Sequence, residues 1–346
     1  MIKPERLHPG DTVAIVSLSS GMAGEPWALH KIDIAKQRLE KDFKLKVKIM
    51  PNALKGINFV YNHPEARARD LMDAFADKTI KGIICAIGGE DTIRILPYIN
   101  FETIKNNPKI FMGYSDSTVN HFMMRKAGLV SFYGPSILTD FSAYVEIPPY
   151  TVNALKNTIF EPQQKFEIIS SPLYSLEADK VWWKEENINV KRKFHREKIG
   201  YEVLQGKGKV EGELIGGNIE AFAFMQGTSI WPSLKEWQGK ILCLETSEEK
   251  PSPTFLSIAL RNLHAQGILH VVNGIIIGKP VDKKHYEVYK QVYKKIVADE
   301  AGLKHLPIIY NVNFGHALPI TVLPFGIKAE LDCDNKKITL LEPATK

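Results

Sequence analysis

The first half of the chain alternates short apolar runs with helical patterns, and this alternation constrains the fold more than any other feature. The predicted strands are VAIVSLS (13–19), KVKIM (46–50), GIICAIGG (82–89) and KIFMGYS (109–115). The stretches between them place apolar residues at i, i+3 and i+4, as amphipathic helices do. Strands of this kind alternating with helices predict an α/β fold with a Rossmann-like, doubly wound parallel sheet. Ligands of such sheets bind beyond the carboxyl ends of the strands.

The chain changes character after an irregular stretch near residues 165–180. Short strands with Gly and Pro between them dominate from there on. A chain of 346 residues is also longer than single hydrophobic cores usually grow. We therefore expect two domains: an N-terminal Rossmann-like domain over residues 1–165 and a smaller, strand-rich α/β domain over residues 180–346.

Composition and charge argue against several classes of protein. No apolar run approaches the roughly 20 residues of a membrane-spanning helix. The N-terminal apolar stretch of about six residues is shorter than a signal-peptide core, so we expect a cytoplasmic protein with no membrane partner. The net charge of +6 is mild and the basic residues are spread along the chain, which gives nucleic-acid binding little support. The densest basic run, KRKFHREK (191–198), has the composition of a solvated loop.

Ser115 stands where a predicted strand gives way to a predicted helix, in the sequence GYSDS. A sharp turn at Gly113 would present the serine hydroxyl at the positive end of the helix, as in a nucleophile elbow. The second glycine of the G-x-S-x-G pattern is missing. Because Ser, Asp and Ser at a helix start are also ordinary N-cap residues, the stretch fits both a nucleophile and a simple cap.

A nucleophilic serine needs a base and a group that orients the base. Among the ten histidines, His316 stands out because it follows an apolar run and a glycine in NVNFGHALP. Glu245 directly ends the apolar run KILCLE, where a carboxylate is costly to bury unless it is paired. Either residue alone also fits a structural or surface role. Glu248, slightly further along, is a second candidate for the orienting acid.

The glycine pair Gly88–Gly89 after GIICAI permits close approach of the backbone to a ligand. It is not part of a G-x-G-x-x-G or P-loop pattern, and so it predicts no nucleotide cofactor. No H-E-x-x-H or paired C-x-x-C spacing occurs either, so we expect no metal.

These motifs together resemble the LD-carboxypeptidase family of serine peptidases, and more closely its branch of microcin C immunity proteins. The resemblance is carried, in order along the chain, by PGDTVAIVSLSS, IGGEDTIRILPYI, GYSDST with GLVSFYGPS, GELIGGN, ILCLET, NVNFGHA and LPFG. It implies a Rossmann-like N-terminal domain, a distinct C-terminal α/β domain, an active site between them, and a homodimer.

The resemblance also implies roles for particular residues. Ser115 would be the nucleophile, His316 the general base and Glu245 the orienting acid. The oxyanion hole would fall on the backbone amides of Gly89 and Asp116. Many relatives have an Asp where this chain has Thr after the Glu of LET.

In the immunity branch, a tryptophan-containing insertion before GGN stacks on a nucleobase, and Trp182–Trp183 resembles it. A role in core packing fits these two residues as well. The substrate would be a peptidyl- or aminoacyl-nucleotide, or alternatively a murein tetrapeptide. A non-catalytic module that binds a small molecule in the cleft is a competing interpretation.

Overall fold

The structure, a computed structural model, describes residues 1–176 and 183–346. Its strands in chain order are β1 (Thr12–Val16), β2 (Lys46–Ile49), β3 (Ile80–Cys85), β4 (Ile110–Gly113), β5 (Ser131–Tyr133), β6 (Phe166–Glu167), β7 (Leu173–Tyr174), β8 (His195–Arg196), β9 (Glu202–Gln205), β10 (Lys209–Asn218), β11 (Ile241–Glu245), β12 (Gly274–Gly278), β13 (Ile308–Val312), β14 (Leu323–Phe325), β15 (Lys328–Asp332) and β16 (Lys337–Leu340).

Helices separate most of these strands. The α-helices are α1 (Leu29–Lys41), α2 (Gly56–Asn62), α3 (Pro64–Ala76), α4 (Phe101–Asn106), α5 (Ser117–Lys126), α6 (Pro149–Leu155), α7 (Ile219–Met225), α8 (Leu234–Trp237), α9 (Pro253–Ala265), α10 (Ile268–Val271) and α11 (Tyr286–Tyr293). Short 3₁₀ or π segments lie at Met22–Gly24, Pro26–Ala28, Thr92–Tyr98, Ile137–Phe141, Lys156–Phe160, Glu185–Asn187, Val281–Lys283 and Lys294–Glu300.

The first sheet has six strands in the order β2-β1-β3-β4-β5-β14. The pairs from β2 to β5 are parallel, and β14 is antiparallel at the edge. The strand order reverses between β1 and β3, which is the switch point of a doubly wound sheet. Together with the strand-rich second part of the chain, this confirms the predicted α/β fold class.

Both faces of this sheet are covered, as the apolar strands predicted. Along β1, Val13 and Ile15 pack into one hydrophobic cluster with residues of α1, and Ala14 and Val16 pack into another with residues of α3 and α5. All four side chains are fully buried. The alternation follows from the period of two along a strand.

The second sheet has eight strands in the order β6-β16-β15-β10-β11-β12-β13-β9. Its centre, β10 to β13, is parallel, and the flanking pairs are antiparallel. Strand β10 is long enough to pair with β15 along its first half and with β11 along its second. The parallel centre matters for function because β11 and β13, with β12 between them, present their carboxyl ends at the same edge of the sheet.

The two sheets are joined by the course of the chain and by their hydrophobic cores. Strand β14 lies late in the sequence and completes the edge of the first sheet, where Leu323 pairs with Tyr133. Both hydrophobic clusters contain residues of both sheets. The domain boundaries at residues 165 and 180 stay a prediction. No helix within residues 1–176 and 183–346 is long and apolar enough to cross a membrane.

Candidate active site

Ser115 lies on a strained turn between β4 and α5. Its φ is 63°, in the left-handed region that residues other than glycine seldom adopt. The Ser115 carbonyl accepts from the N–H and from the Oγ of Thr118, at 2.9 and 2.7 Å. Within the described parts of the chain the Oγ of Ser115 makes no hydrogen bond, and the N-cap residue Asp116 makes no side-chain capping bond. The serine hydroxyl therefore does not serve as the helix cap.

Glu245 and His316 meet at the carboxyl ends of the central strands of the second sheet. Glu245 ends β11, and His316 lies in the loop after β13. The Nδ1 of His316 donates to Oε2 of Glu245 at 2.7 Å, and the Glu245 side chain is 1% exposed. Two glycines leave room for this carboxylate: a Cβ at Gly315 would lie 2.3 Å from Oε2, and one at Gly278 would lie 2.6 Å from the Glu245 Cβ.

Glu248 approaches the other nitrogen of the same ring. Its Oε2 lies 3.1 Å from Nε2 of His316, without the geometry of a hydrogen bond, and its side chain is 52% exposed. A group that orients a histidine base binds Nδ1 and leaves Nε2 for the nucleophile. Of the two candidate acids, Glu245 thus has the position of an orienting group, and Glu248 lies on the side where a substrate would enter.

Ser115 and His316 line one cleft of about 660 Å³ between the two sheets. Gly88, Gly89 and Trp183 line the same cleft. The predicted nucleophile, base and glycine pair are thereby brought together. Such a volume is typical of a site for a small-molecule ligand.

The glycine loop after β3 is fastened to the nucleophile turn by the side chain of Asp116. Its Oδ2 accepts from Ser19 Oγ at 2.5 Å, from the Asp91 N–H at 3.0 Å and from the Thr92 N–H at 2.9 Å. Gly89 has a φ of 146°, open to glycine alone without strain. Among the described residues, neither the Gly89 N–H nor the Asp116 N–H is bound to an acceptor. Both N–H groups are therefore available as donors.

Of the two predicted tryptophans, Trp183 is described and Trp182 lies outside the described residues. Trp183 lines the cleft and packs edge-on against Trp27, with ring centroids 5.6 Å apart. The Nζ of Lys31 lies 4.9 Å from its ring centroid. The ring is thus held in place at the wall of the cleft.

Three carboxylates determine the protonation of His316. Burial lowers the pKa of the imidazole, but the negative charges of Glu245, Glu248 and Glu220, with the hydrogen bond that the ring donates to Glu245, outweigh burial and raise the pKa to about 9. The His316 ring is therefore a positively charged imidazolium, with a proton on both nitrogens, at neutral pH when the site is empty. Because the folded pKa lies above the ordinary value, this charge stabilises the fold at low pH, and the stabilisation is lost as the pH rises through about 9.

Sequence patterns missed two features of this site. Tyr133 ends β5 and binds both Glu245 and the backbone of Ser115 through its hydroxyl. Its pairing with Gly113 at the end of the nucleophile strand is visible only in the folded chain. The basic run 191–198 is only partly solvated, because Glu197 within it forms a buried ion pair with Lys279.

A serine on a strained strand-to-helix turn that shares a cleft with a carboxylate-bound imidazole is the arrangement of a serine hydrolase. Family models agree with this class: the LD-carboxypeptidase N-terminal domain matches residues 13–134, and the LD-carboxypeptidase C-terminal domain matches residues 211–331. The chain belongs to the LD-carboxypeptidase family and is a serine peptidase.

Its relatives include proteins described for two kinds of substrate. A crystal structure of an MccF-like protein from Streptococcus pneumoniae in complex with AMP is 37% identical, covers 96% of this chain and 98% of its own, and has a TM-score of 0.87. The Microcin C7 self-immunity protein MccF of Escherichia coli is 27% identical over 80% of this chain and 78% of that protein. The "Probable murein peptide carboxypeptidase" of Bacillus subtilis is 29% identical over 96% of this chain and 92% of that protein.

Gly88→Ala is expected to disable Ser115 through a steric clash. The added Cβ would lie 2.7 Å from Cβ and 2.8 Å from Oγ of Ser115, closer than real Cβ contacts. Labelling of Ser115 by a fluorophosphonate probe should slow at least about tenfold. The control is Gly128→Ala, with a φ of +80° and open space around the new Cβ, which costs about 1–2 kcal/mol of stability without touching the site. Equal labelling of the two variants would contradict the role of Gly88.

Glu248→Gln is expected to lower the pKa of His316, because it removes one of the negative charges that favour the imidazolium. NMR titration of the His316 ring, assigned by its loss in His316→Asn, measures the change without a substrate. Glu249→Gln is the matched control, since Glu249 lines the cleft but is not among the groups that raise this pKa. A pKa of His316 that is the same in both variants would refute the role of Glu248.

Proposed function

We propose that this protein hydrolyses an amide-type bond in a peptidyl- or aminoacyl-nucleotide, with Ser115 as nucleophile, His316 as general base and Glu245 as the acid that orients it. The observation that carries the proposal is the buried bond of 2.7 Å between His316 Nδ1 and Glu245 Oε2, in the cleft that Ser115 lines. It leaves Nε2 of His316 for the serine hydroxyl.

In the proposed mechanism, Ser115 Oγ attacks the substrate carbonyl carbon while Nε2 of neutral His316 takes its proton. The backbone N–H groups of Gly89 and Asp116 stabilise the tetrahedral oxyanion. Collapse breaks the C–N bond, and His316 gives the proton to the leaving nitrogen. A water molecule, deprotonated by His316, then hydrolyses the acyl-enzyme and restores the serine.

The choice of a nucleotide rests on two supports. The Streptococcus pneumoniae relative binds AMP in its crystal structure. In this chain the Trp183 ring lies at the wall of the candidate cleft, where an indole face would stack on a planar base. The fixed position of the ring against Trp27 lowers the entropic cost of such stacking.

A second candidate substrate is a murein tetrapeptide, cleaved at an L,D-bond near its free C-terminus. It is favoured by the Bacillus subtilis relative, which matches almost the whole chain. The same three residues would act on it. The Trp183 ring would then have no nucleobase to stack on.

We also propose a homodimer in the cytoplasm. The resemblance to the immunity branch supports the dimer. The three cysteines are buried and free, as expected of a reducing compartment. Light scattering and cell fractionation test these two proposals.

Ser115→Ala is expected to lower kcat at least about 100-fold on the true substrate, because the attacking oxygen is gone. Hydrolysis of an aminoacyl-sulfamoyl adenosine and of a murein tetrapeptide, followed by chromatography, measures the loss. Ser117→Ala is the control, since Ser117 is a buried first-turn residue of α5 that faces Gly113 and Cys85. Full turnover by Ser115→Ala would end the proposal. Ligand binding without turnover in the parent protein would favour a binding module.

Trp183→Ala is expected to raise KM for the nucleotide substrate about tenfold, because one base–aromatic stack is worth roughly 1–3 kcal/mol. Trp183→Phe keeps a stacking ring and should restore most of the affinity. Turnover of the murein tetrapeptide should respond little to either change. Equal effects of Trp183→Ala on both substrates would contradict a base-stacking role.

A further inference from the structure

Tyr133 connects the two halves of the candidate active site through one buried hydroxyl. The phenol donates to Oε1 of Glu245 at 2.6 Å and accepts from the N–H of Ser115 at 3.0 Å. Its side chain has no solvent exposure. A phenol has one proton to donate and lone pairs to accept with, so it serves both neighbours at once.

The bond to Glu245 completes the solvation of a buried carboxylate. Oε2 of Glu245 is bound to His316, and Oε1 is bound to Tyr133. The backbone of Gly315 packs against this carboxylate, and that of Gly278 packs against the Cβ of Glu245. Without the phenol, Oε1 would be left buried without this donor, which weakens the hold on the whole carboxylate.

The bond from Ser115 acts on the strained turn. With a φ of 63°, Ser115 sits at the N-terminal end of α5, outside the helical hydrogen-bond ladder. The phenol accepts the N–H of Ser115 and thereby stabilises the conformation that presents Oγ and the next amide, that of Asp116. Preorganised groups of this kind supply much of the stabilisation of an oxyanion.

The tyrosine ring is itself fixed by its surroundings. Register places Tyr133 opposite Gly113, at the end of the strand that carries the nucleophile. The ring packs against His121 at 5.4 Å and Phe325 at 5.3 Å between centroids. Burial, followed by the charge of Glu245, raises the pKa of Tyr133 well above its ordinary value. The phenol therefore remains a donor throughout the working pH range and cannot act as a base.

We propose that Tyr133 is a positioning residue that fixes the distance between the serine turn and the Glu245–His316 pair. The inference rests on the proposed function. Glu245 ends a strand of the second sheet, and Ser115 follows a strand of the first sheet. The Tyr133 hydroxyl forms a hydrogen bond with each of them and so connects the two sheets. Tyr133 does not touch the reacting atoms, and its effect passes through the two residues that it binds.

Tyr133→Phe tests the inference, because it removes the hydroxyl and keeps the ring. We expect kcat to fall at least about tenfold with KM changed less than about twofold, since a small misplacement of reacting groups is costly while the cleft walls stay intact. The pKa of His316, measured by NMR, should rise. Glu245 then has lost its bond from the phenol, and its negative charge acts more strongly on the imidazolium. Unchanged kcat, or a fall in kcat with an unchanged pKa of His316, would overturn the inference.

Tyr293→Phe is the matched control. Tyr293 is buried, and its hydroxyl has no hydrogen-bond partner within the described residues. This variant should keep the kcat and the His316 titration of the parent protein. A change in both variants would mean that loss of any buried hydroxyl suffices, and would overturn a specific role for Tyr133.

A second substitution covers the case in which Tyr133→Phe fails to fold. 3-Fluorotyrosine at position 133 keeps the hydroxyl and makes it a stronger donor, so the pKa of His316 should fall rather than rise. An unchanged pKa there would overturn the inference. Activity of Ser115→Ala separates the two proposals: if that variant is inactive and Tyr133→Phe is fully active, only the role of Tyr133 fails.

Discussion

The buried charge of Glu245 is the constraint on which the rest of the site depends. Removing a carboxylate from water costs several kcal/mol unless strong donors replace the water. Here the donors are an imidazole from the loop after β13 and a phenol from β5 of the first sheet. Separating the sheets would leave this charge without one of its two partners. The same bonds that compensate the charge therefore hold the cleft together.

A second buried carboxylate, Asp116, organises the nucleophile side in a comparable way. It gathers a hydroxyl from the loop after β1 and two backbone amides from the loop after β3. Arg67 is buried behind the same loops, where it donates to the carbonyls of Leu18 and Ser19. Three strand ends are thus fixed relative to one another before any ligand binds. A site whose dipoles are already oriented needs little reorganisation during the reaction.

Local sequence was sufficient to predict the first four strands of the first sheet, because buried strands such as β3 consist of apolar runs such as 82–86. It also singled out Ser115, Glu245 and His316 as candidates, since each stands at or shortly after the end of an apolar run. The edge position of β14 and the two bonds of Tyr133 depend on pairing between residues far apart in the chain. No local pattern encodes such a pairing, and a tyrosine in an apolar strand is typical of a core residue. The assignment of the oxyanion hole to the amides of Gly89 and Asp116 in particular was an implication of the family resemblance.

The three carboxylates around His316 raise a question of mechanism, because a base must lose its proton before it can act. Two of them are built into the site: Glu245 is buried, and Glu220 is bound to Ser247. Glu248 is half exposed and lies against Nε2, the nitrogen that would face the serine. Because its charge is one of those that raise the pKa of His316, any loss of that charge from the neighbourhood of the ring would lower this pKa. Of the three charges that raise this pKa, the one beside the nitrogen that would face the serine is thus the one most open to solvent.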